Sequence, residues 1–416
     1  MRKIIVWATL PSGARLRCGE MVSVSWDRKP QGPTGAFRYD PAFLRHAQSF
    51  PLDPVTLPLS GGEFETERRE GLHAVFEDAL PDSWGRGLLV REARLPRAEQ
   101  HPVALLPVLG TRGIGALSFS VPGTSPEPPA PGTAASLSAL AEAAEAFDRG
   151  DSGEEGRWTP LFAAGGSAGG ARPKVLVEEG GRKFIAKLAR TSDTLDFVRT
   201  EEAVARLARR CGLPVPLTRV ADLGTRRAFL VERFDITAQD GRHHQVSLQT
   251  LLGAEGFYQA GYEDLARVLR RYGARPAADL ALLYRQMVFN AMMGNTDDHL
   301  KNFALHWRAD EGFRLTPPFD LLPDMDGRRE HTLRFGSDGL LPSRGGLLAL
   351  GRVFGVQREA LRIVREVRTG CAGWETVFGQ CGVPKSDIAR LAPGLLRRQQ
   401  SFADPEDLDL ENRLSL

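Results

Sequence analysis

Between residues 287 and 324 the chain reads MVFNAMMGNTDDHLKNFALHWRADEGFRLTPPFDLLPD, and its polar residues fall where the surrounding apolar pattern predicts none. Asp297, Asp298, His299, Lys301 and Asn302 crowd into one short segment, and a further carboxylate, Asp320, follows downstream. These residue types suit one demanding reaction. Phosphoryl transfer from ATP needs a carboxylate to orient the attacking hydroxyl, plus a carboxylate and an amide oxygen to hold Mg²⁺ against the phosphates. Asp297, Asn302 and Asp320 supply that set.

The elements around them place these side chains on one framework. Leu282, Leu283, Met287, Val288, Ala291 and Met292 recur at helical spacing, which predicts a buried helix that stops at Gly294 and delivers residues 295–302 as a loop. Phe303, Ala304 and Leu305 predict a strand. After a turn at 310–312, a second apolar run at 313–315 leads through Pro317, Pro318 and Phe319 to Asp320, on the far side of a hairpin. Protein kinases space their first pair as HRDxxxxN, and Asp297 and Asn302 have that spacing, with Asp320 where a kinase carries the Asp of DFG. The neighbours differ: Asn295 and Thr296 replace His and Arg, Lys301 precedes Asn302, and Leu321 stands where Gly would be. Taken alone, Asp-Asp-His is ordinary turn chemistry. Asp297, Asp298, His299 and Asp320 would also serve as ligands of a metal phosphoesterase, though such sites usually gather more than one histidine.

A second stretch, 162–189, reads FAAGGSAGGARPKVLVEEGGRKFIAKLA. Gly165, Gly166, Gly169 and Gly170 flank Ser167, then two strands separated by Gly180 and Gly181 end in Lys187. Glycines let backbone N–H groups approach phosphate oxygens, and a lysine on a following strand can grip the α- and β-phosphates. A Walker A loop is excluded, because Lys174 lies between Pro173 and Val175 and the GxxxxGK[ST] pattern is missing. A phosphoesterase would leave this stretch unexplained.

NTDDHLKNF followed by PPFDLLPD, together with GGSAGGARPK and FIAKL, resembles the HipA-like serine/threonine kinases, the toxin half of certain bacterial toxin–antitoxin pairs. The resemblance implies an α+β, protein-kinase-like two-lobe fold, with a β-rich N-terminal subdomain and nucleotide lobe followed by a mostly α-helical C-terminal lobe. It implies ATP and Mg²⁺ as cofactors, Asp297 as catalytic base, and Asn302 and Asp320 as metal ligands. Gly169, Gly170, Ala171, Arg172, Pro173 and Lys174 would contact the phosphates, with Lys187 as the strand lysine. His299, Leu300 and Lys301 would line the phosphate site, and Phe319 would sit beside Asp320. In the strand RAFLVERF, Glu232, Arg233 and Phe234 would form the hinge, the backbone of Glu232 and Phe234 holding the adenine edge. Glu201 is a candidate partner for Lys187, and Ser167 a candidate autophosphorylation site whose modification would expel the loop. As partners the family implies a protein substrate such as an aminoacyl-tRNA synthetase, and a small helix-turn-helix antitoxin, with DNA reached only through it. A binding-only regulator that has kept the fold is the alternative; the intact set Lys187, Asp297, Asn302 and Asp320 argues against a dead site.

The rest of the chain supplies the frame. Its 416 residues, 42% of them hydrophobic, suffice for several packed cores. With 54 basic against 52 acidic residues the net charge is +2, which argues against a surface that is a nucleic-acid footprint throughout. Cys18, Cys211, Cys371 and Cys381 are widely spread, indicating neither a zinc ribbon nor a disulfide framework and fitting a reducing cytoplasm. The opening MRKIIVWATLPSG reads as a first strand rather than a secretion signal, and no apolar run reaches membrane-spanning length.

In order, residues 1–120 predict a small β-rich subdomain with apolar runs at 4–10, 22–26, 36–39 and 55–59, and helices around LPDSWG, where Asp82 and Ser83 form a helix N-cap and Trp84 is core. Residues 121–157 predict a Pro-rich linker and one helix at 136–147. Residues 158–240 form the nucleotide-binding lobe, with a helix at 200–213, and 241–416 an α-helical lobe carrying the catalytic loop. Within the latter, helices are expected at 248–252, 262–272, 277–290, 357–369 and 385–402, and the acidic tail 404–411 is expected in solvent. The segment VPKSDIARLAPGLLRRQ reads as an amphipathic core helix and not a helix-turn-helix, because Pro393 and Gly394 break it too near its Arg-rich end.

Overall fold

The computed structural model describes residues 2–24, 33–68, 70–126, 132–133, 137–150, 159–164, 172–190, 192–256, 258–325 and 327–403. The glycine-rich loop 165–171, Ser167 included, and the acidic tail lie outside the described residues. The chain forms two compact units: Met1–Ser192 with Arg219–Gly253 and Ala304–Phe313, and Asp193–Thr218 with Ala254–Phe303 and Arg314–Leu416. Whereas the sequence division runs in contiguous blocks, these units interleave.

The first unit opens with an antiparallel sheet of β1 (Arg2–Thr9), β2 (Arg15–Ser23), β3 (Gly35–Tyr39), β4 (Phe64–Thr66) and β5 (Leu117–Ser120), in the order β4-β3-β2-β1-β5. Strand alternation sends Ile4, Val6 and Ala8 inward, and Phe37, Phe43, Phe50, Phe76 and Phe119 are fully buried beneath the sheet. The apolar run at 55–59 is not a strand. The Asp53 carboxylate accepts hydrogen bonds from Val55 N (2.8 Å) and Thr56 Oγ1 (2.6 Å), folding this stretch into a local turn that competes with a sheet ladder. Asp82 does stand at the N-cap of the helix Ser83–Glu92, without a side-chain capping bond, and Trp84 is buried.

A second sheet joins β6 (Gly132–Thr133), β7 (Lys174–Glu179), β8 (Arg182–Leu188), β9 (Thr218–Leu223) and β10 (Arg226–Glu232) in the order β6-β7-β8-β10-β9. Val175, Val177, Phe184, Ala186, Leu188, Ala228 and Leu230 share one apolar cluster with Leu140 and Ala144 of the helix Leu137–Asp148. Side chains alternate across a strand, so Lys174, Lys187 and Phe229 stand on the opposite face. Strands β11 (Gln245–Ser247), β12 (Ala304–Arg308) and β13 (Gly312–Leu315) form a third small sheet, and the division between the units falls inside β13.

The second unit is helical, with Phe197–Arg210, Tyr262–Tyr272, Pro276–Met293, Arg344–Val353, Ala360–Cys371, Trp374–Gln380 and Lys385–Ser401 among its elements. Pro393 does not break the last of these, as the sequence suggests it should; it lies within a continuous helix. Proline frees the carbonyl of Ala389, and since Ala389 and Pro393 are both exposed, water can satisfy that group while Leu391 and Leu395 stay buried. Cys211 and Cys371 are free thiols whose sulfurs lie 3.6 Å apart, a proximity their sequence separation hides. Among the described residues no helix is long and apolar enough to cross a membrane.

Candidate active site

The segment 295–302 begins where the helix Pro276–Met293 ends at Gly294, which adopts a left-handed conformation (φ 64°) and donates its N–H to Asn290 O. A side chain would be strained there twice over, because an added Cβ would also lie 2.6 Å from Arg398 Nε. Asn295 continues the stop with bonds from its N to Asn290 O (3.0 Å) and from its Nδ2 to Asn290 Oδ1 (3.2 Å). A single helical turn, Leu300–Asn302, follows, and Asn302 Nδ2 reaches back to donate to Asp297 O at 2.8 Å.

Two adjacent aspartates then part company. Asp297 is exposed. Asp298 is fully buried, with Oδ2 accepting from Tyr262 Oη (2.7 Å) and His331 Nδ1 (3.1 Å), and Oδ1 from Thr332 N (2.8 Å) and Leu333 N (3.3 Å). Burial pushes the Tyr262 hydroxyl well above its ordinary pKa, and the neighbouring Asp298 charge pushes it the same way. Four donors fill the acceptor positions of a carboxylate, so Asp298 is spent on structure and is not a metal ligand, which removes it from the phosphoesterase set.

The second carboxylate of the set is held by different means. Arg314 on β13 makes a two-pronged pair with Asp279 in the first turn of Pro276–Met293, at 3.0 Å for both Nε–Oδ2 and Nη2–Oδ1. This fixes the return of the hairpin. Asp320 itself has φ 52°, one of three described non-glycine residues with positive φ. Asparagine and aspartate tolerate that region better than most residues, but it still costs of order 1 kcal/mol, and such positions cluster at ligand clamps and active sites. Four residues on, Asp324 N donates to Gly294 O at 2.7 Å, tying the stretch after Asp320 to the helix end just before Asp297. Asp297, Asn302 and Asp320 thus hang on one hydrogen-bonded framework within the second unit. His299 is half-buried, Leu300 buried and Lys301 exposed on the same loop, and Phe319 is half-buried beside Asp320.

In the first unit, Lys187 on β8 lies directly opposite Lys174 on β7 and opposite Phe229 on β10. Both lysines are buried, and Lys187 Nζ lies 5.7 Å from the centre of the Phe229 ring. Arg172 and Pro173 lead into β7, with Pro173 O accepting from Leu188 N at 2.9 Å; Gly169, Gly170 and Ala171 lie outside the described residues.

At the proposed hinge, Arg233 N donates to Lys183 O on β8 (2.9 Å), so strand alternation turns the main-chain groups of Glu232 and Phe234 away from β8. The Arg233 side chain departs from the expectation of a ligand contact. Its guanidinium is buried against Asp235, with Nη2–Oδ2 at 2.6 Å and Nε–Oδ1 at 2.9 Å. A buried carboxylate needs such a partner. Burial raises the Asp235 pKa, but Arg233, Arg242 and the N–H of Gly115 outweigh it and bring it down to about 2. Glu201 and Glu202 on Phe197–Arg210 are both buried, and Glu202 is engaged by Arg206 Nε at 2.7 Å. Reasoning from sequence missed the anchoring roles of Asp298, His331 and Arg398, for which nothing short of the fold gives a signal.

Two family models match the chain: the HipA-like C-terminal domain over residues 166–374 and the HipA N-terminal domain over residues 20–120. Three curated relatives bear the name "Putative kinase", two of them as follows. Y4mE of Sinorhizobium fredii is 33% identical over 132 residues, covering 29% of this chain and 31% of the relative. The Haemophilus influenzae protein is 24% identical over 136 residues, covering 29% of this chain and 40% of the relative. The match thus spans well under half the length of either relative. Among solved structures, a chain of the Shewanella oneidensis MR-1 complex of HipA, HipB and operator DNA superposes with a TM-score of 0.67, covering 95% of this chain and 96% of that one at 19% identity. At that identity the likeness is one of fold, an α+β arrangement with N-terminal sheets and a helical C-terminal part.

Proposed function

Because the chain belongs to the HipA-like family, we propose that it is an ATP- and Mg²⁺-dependent serine/threonine kinase that transfers the γ-phosphate to a protein hydroxyl. The observation that carries this reading is the pairing of an exposed Asp297 with an Asn302 whose amide nitrogen is committed to the Asp297 carbonyl, which leaves Asn302 Oδ1 as the end of the amide that faces a cation. The residues suit the nucleotide too. Lys174 and Lys187 are paired buried cations on the sheet face away from its helices, a donor set for a polyphosphate.

In this mechanism Asp297 accepts the proton of the attacking hydroxyl and orients its oxygen. Asn302 and Asp320 hold Mg²⁺, which when bound neutralises charge on the phosphate oxygens. Lys187 pairs with the α- and β-phosphates, the backbone of Gly169, Gly170 and Ala171 with Arg172, Pro173 and Lys174 cradles them, and His299, Leu300 and Lys301 border the transferred group. The main-chain groups of Glu232 and Phe234 hold the adenine edge. Autophosphorylation of Ser167 silences the enzyme by moving its loop off the nucleotide.

The substrate we propose is a component of translation such as an aminoacyl-tRNA synthetase, and the neutralising partner a small helix-turn-helix antitoxin that alone contacts DNA, all in the cytoplasm. The solved relative was captured with HipB and operator DNA. The test needs no known substrate: purified protein, Lys187→Ala and Asp297→Ala are incubated with γ-labelled ATP and Mg²⁺, and their peptides are mapped by mass spectrometry. Label on Ser167 that is absent from both variants is the expected result. ATP binding without any label, in a sample not already phosphorylated, would favour the binding-only regulator.

A further inference from the structure

Arg398 lies on the last helix of the second unit, far in sequence from the loop around Asp297, yet its guanidinium is built into that loop's support. Nη1 contacts His331 Nε2 at 3.2 Å, and Nη2 donates to Arg329 O at 2.9 Å and, more loosely, to Arg328 O at 3.4 Å. Its Nε and Cδ run directly beneath Gly294, where only glycine leaves room. Desolvation lowers the Arg398 pKa, while the charges of Asp324 and Asp298 act the other way, which puts both carboxylates within electrostatic reach of the guanidinium.

His331 connects this cation to the catalytic loop. Its ring is buried against Phe335, at 4.9 Å between centroids, so its orientation is fixed by packing. The Asp298 carboxylate only accepts, so Nδ1 carries the proton toward it, and Nε2 then accepts from Arg398. Asp298 in turn receives the N–H groups of Thr332 and Leu333. The chain Arg398–His331–Asp298 therefore ends one peptide from Asp297. Through the carbonyls of Arg328 and Arg329 the same side chain also holds the segment that follows Asp320.

We propose that Arg398 is a positioning residue: acting through His331 and Asp298, it sets the catalytic loop that presents Asp297 and makes the C-terminal helix part of the active-site support. A misplacement of about 1 Å at such a loop costs on the order of 10²-fold in rate. The turnover part of this inference rests on the kinase reading; the coupling of helix to loop does not.

The test compares wild type, Arg398→Ala, Arg398→Lys and His331→Ala in two measurements. Hydrogen exchange is expected to quicken in Arg398→Ala over 295–303 and 331–335 while the interior of Pro276–Met293 stays protected. In steady-state label transfer, kcat is expected to fall by about 10- to 100-fold and KM for ATP to rise by a smaller factor, since residues 299–302 border the phosphates; His331→Ala is expected to behave alike, and Arg398→Lys or added guanidinium ion to restore part of the rate. Unchanged exchange at both segments, or a kcat equal to wild type, would overturn the inference. So would a loss shared equally by kcat and KM with the whole unit unprotected, which marks a merely structural arginine. Quickened exchange in a protein whose wild type transfers no phosphate would instead sink the kinase reading and leave the coupling standing.

Discussion

The side-chain amide of Asn302 donates to the main-chain carbonyl of Asp297 at 2.8 Å, so the residue that would bind metal also closes the loop that presents the base. The two roles use different atoms and can be separated. Asn302→Ala removes both, and Mg²⁺-dependent phosphoryl transfer should fall by about 10²-fold or more. Asn302→Asp keeps an oxygen for the cation and loses the donor, so it should retain Mg²⁺-dependent ATP binding while turnover drops. Titrating Mg²⁺ against nucleotide affinity in both variants distinguishes them; identical behaviour would mean that Asn302 acts only as a loop clasp.

Adjacent aspartates should fail in opposite ways. Asp297 is exposed, so Asp297→Ala should abolish transfer with a stability change within about 0.5 kcal/mol. Asp298 receives four hydrogen bonds in a fully buried position, and Asp298→Ala should cost about 3 kcal/mol or more, read as a lowered midpoint in urea. A Tm loss at Asp297 equal to that at Asp298 would contradict the division of labour.

What the sequence made legible was whatever depends on local spacing. The five-residue interval from Asp297 to Asn302, the helix stop at Gly294 and the lysine closing β8 are set by neighbours along the chain, and each lies where its pattern indicates. What it hid depends on distant segments meeting. The Asp-Asp pair offered two equal carboxylates, and only Tyr262, His331, Thr332 and Leu333 converging from elsewhere distinguish them. Within the stretch read as the hinge, no sequence pattern signals that Asp235 and Gly113 hold the Arg233 side chain. Pro393 looked like a break because propensity counts its missing N–H, while the exposed position of the freed carbonyl decides the cost.

Lys187 should be read out by nucleotide binding. It is buried on the sheet face opposite the apolar cluster, so Lys187→Met should lose the rise in Tm produced by ATP and Mg²⁺, whatever its ligand-free Tm. Thermal shift with and without nucleotide measures both. A variant that loses stability yet keeps the full nucleotide shift would place Lys187 outside the phosphate site.

Thiol chemistry should separate the four cysteines by burial. Cys18, Cys211 and Cys371 are buried and Cys381 only partly so. Burial pushes the Cys18 thiol well up; at Cys371 the contact with Cys211 and then burial do the same. A thiolate is the reactive form, so a native-state titration with an aromatic disulfide should modify Cys381 first and the other three only on unfolding. Prompt modification of Cys211 or Cys371 would mean that the helices Phe197–Arg210 and Ala360–Cys371 separate readily in the native protein.

The ion pair under the hinge makes a pH prediction for the first unit. Asp235, brought down to about 2 from an ordinary value of 3.8, releases its proton more readily folded than unfolded. Its contribution is therefore fully present above pH 4 and lost as pH falls from about 4 towards 2, amounting to about 2 kcal/mol. Asp235→Asn removes this dependence but leaves the Arg233 guanidinium buried without its counter-charge, so it should be less stable than wild type at pH 6. The gap between the two proteins in urea should then narrow as the solution is acidified, because protonation turns the wild-type residue into a near copy of the amide. A gap that stayed constant from pH 6 to pH 2 would show that Asp235 is not ionised against Arg233.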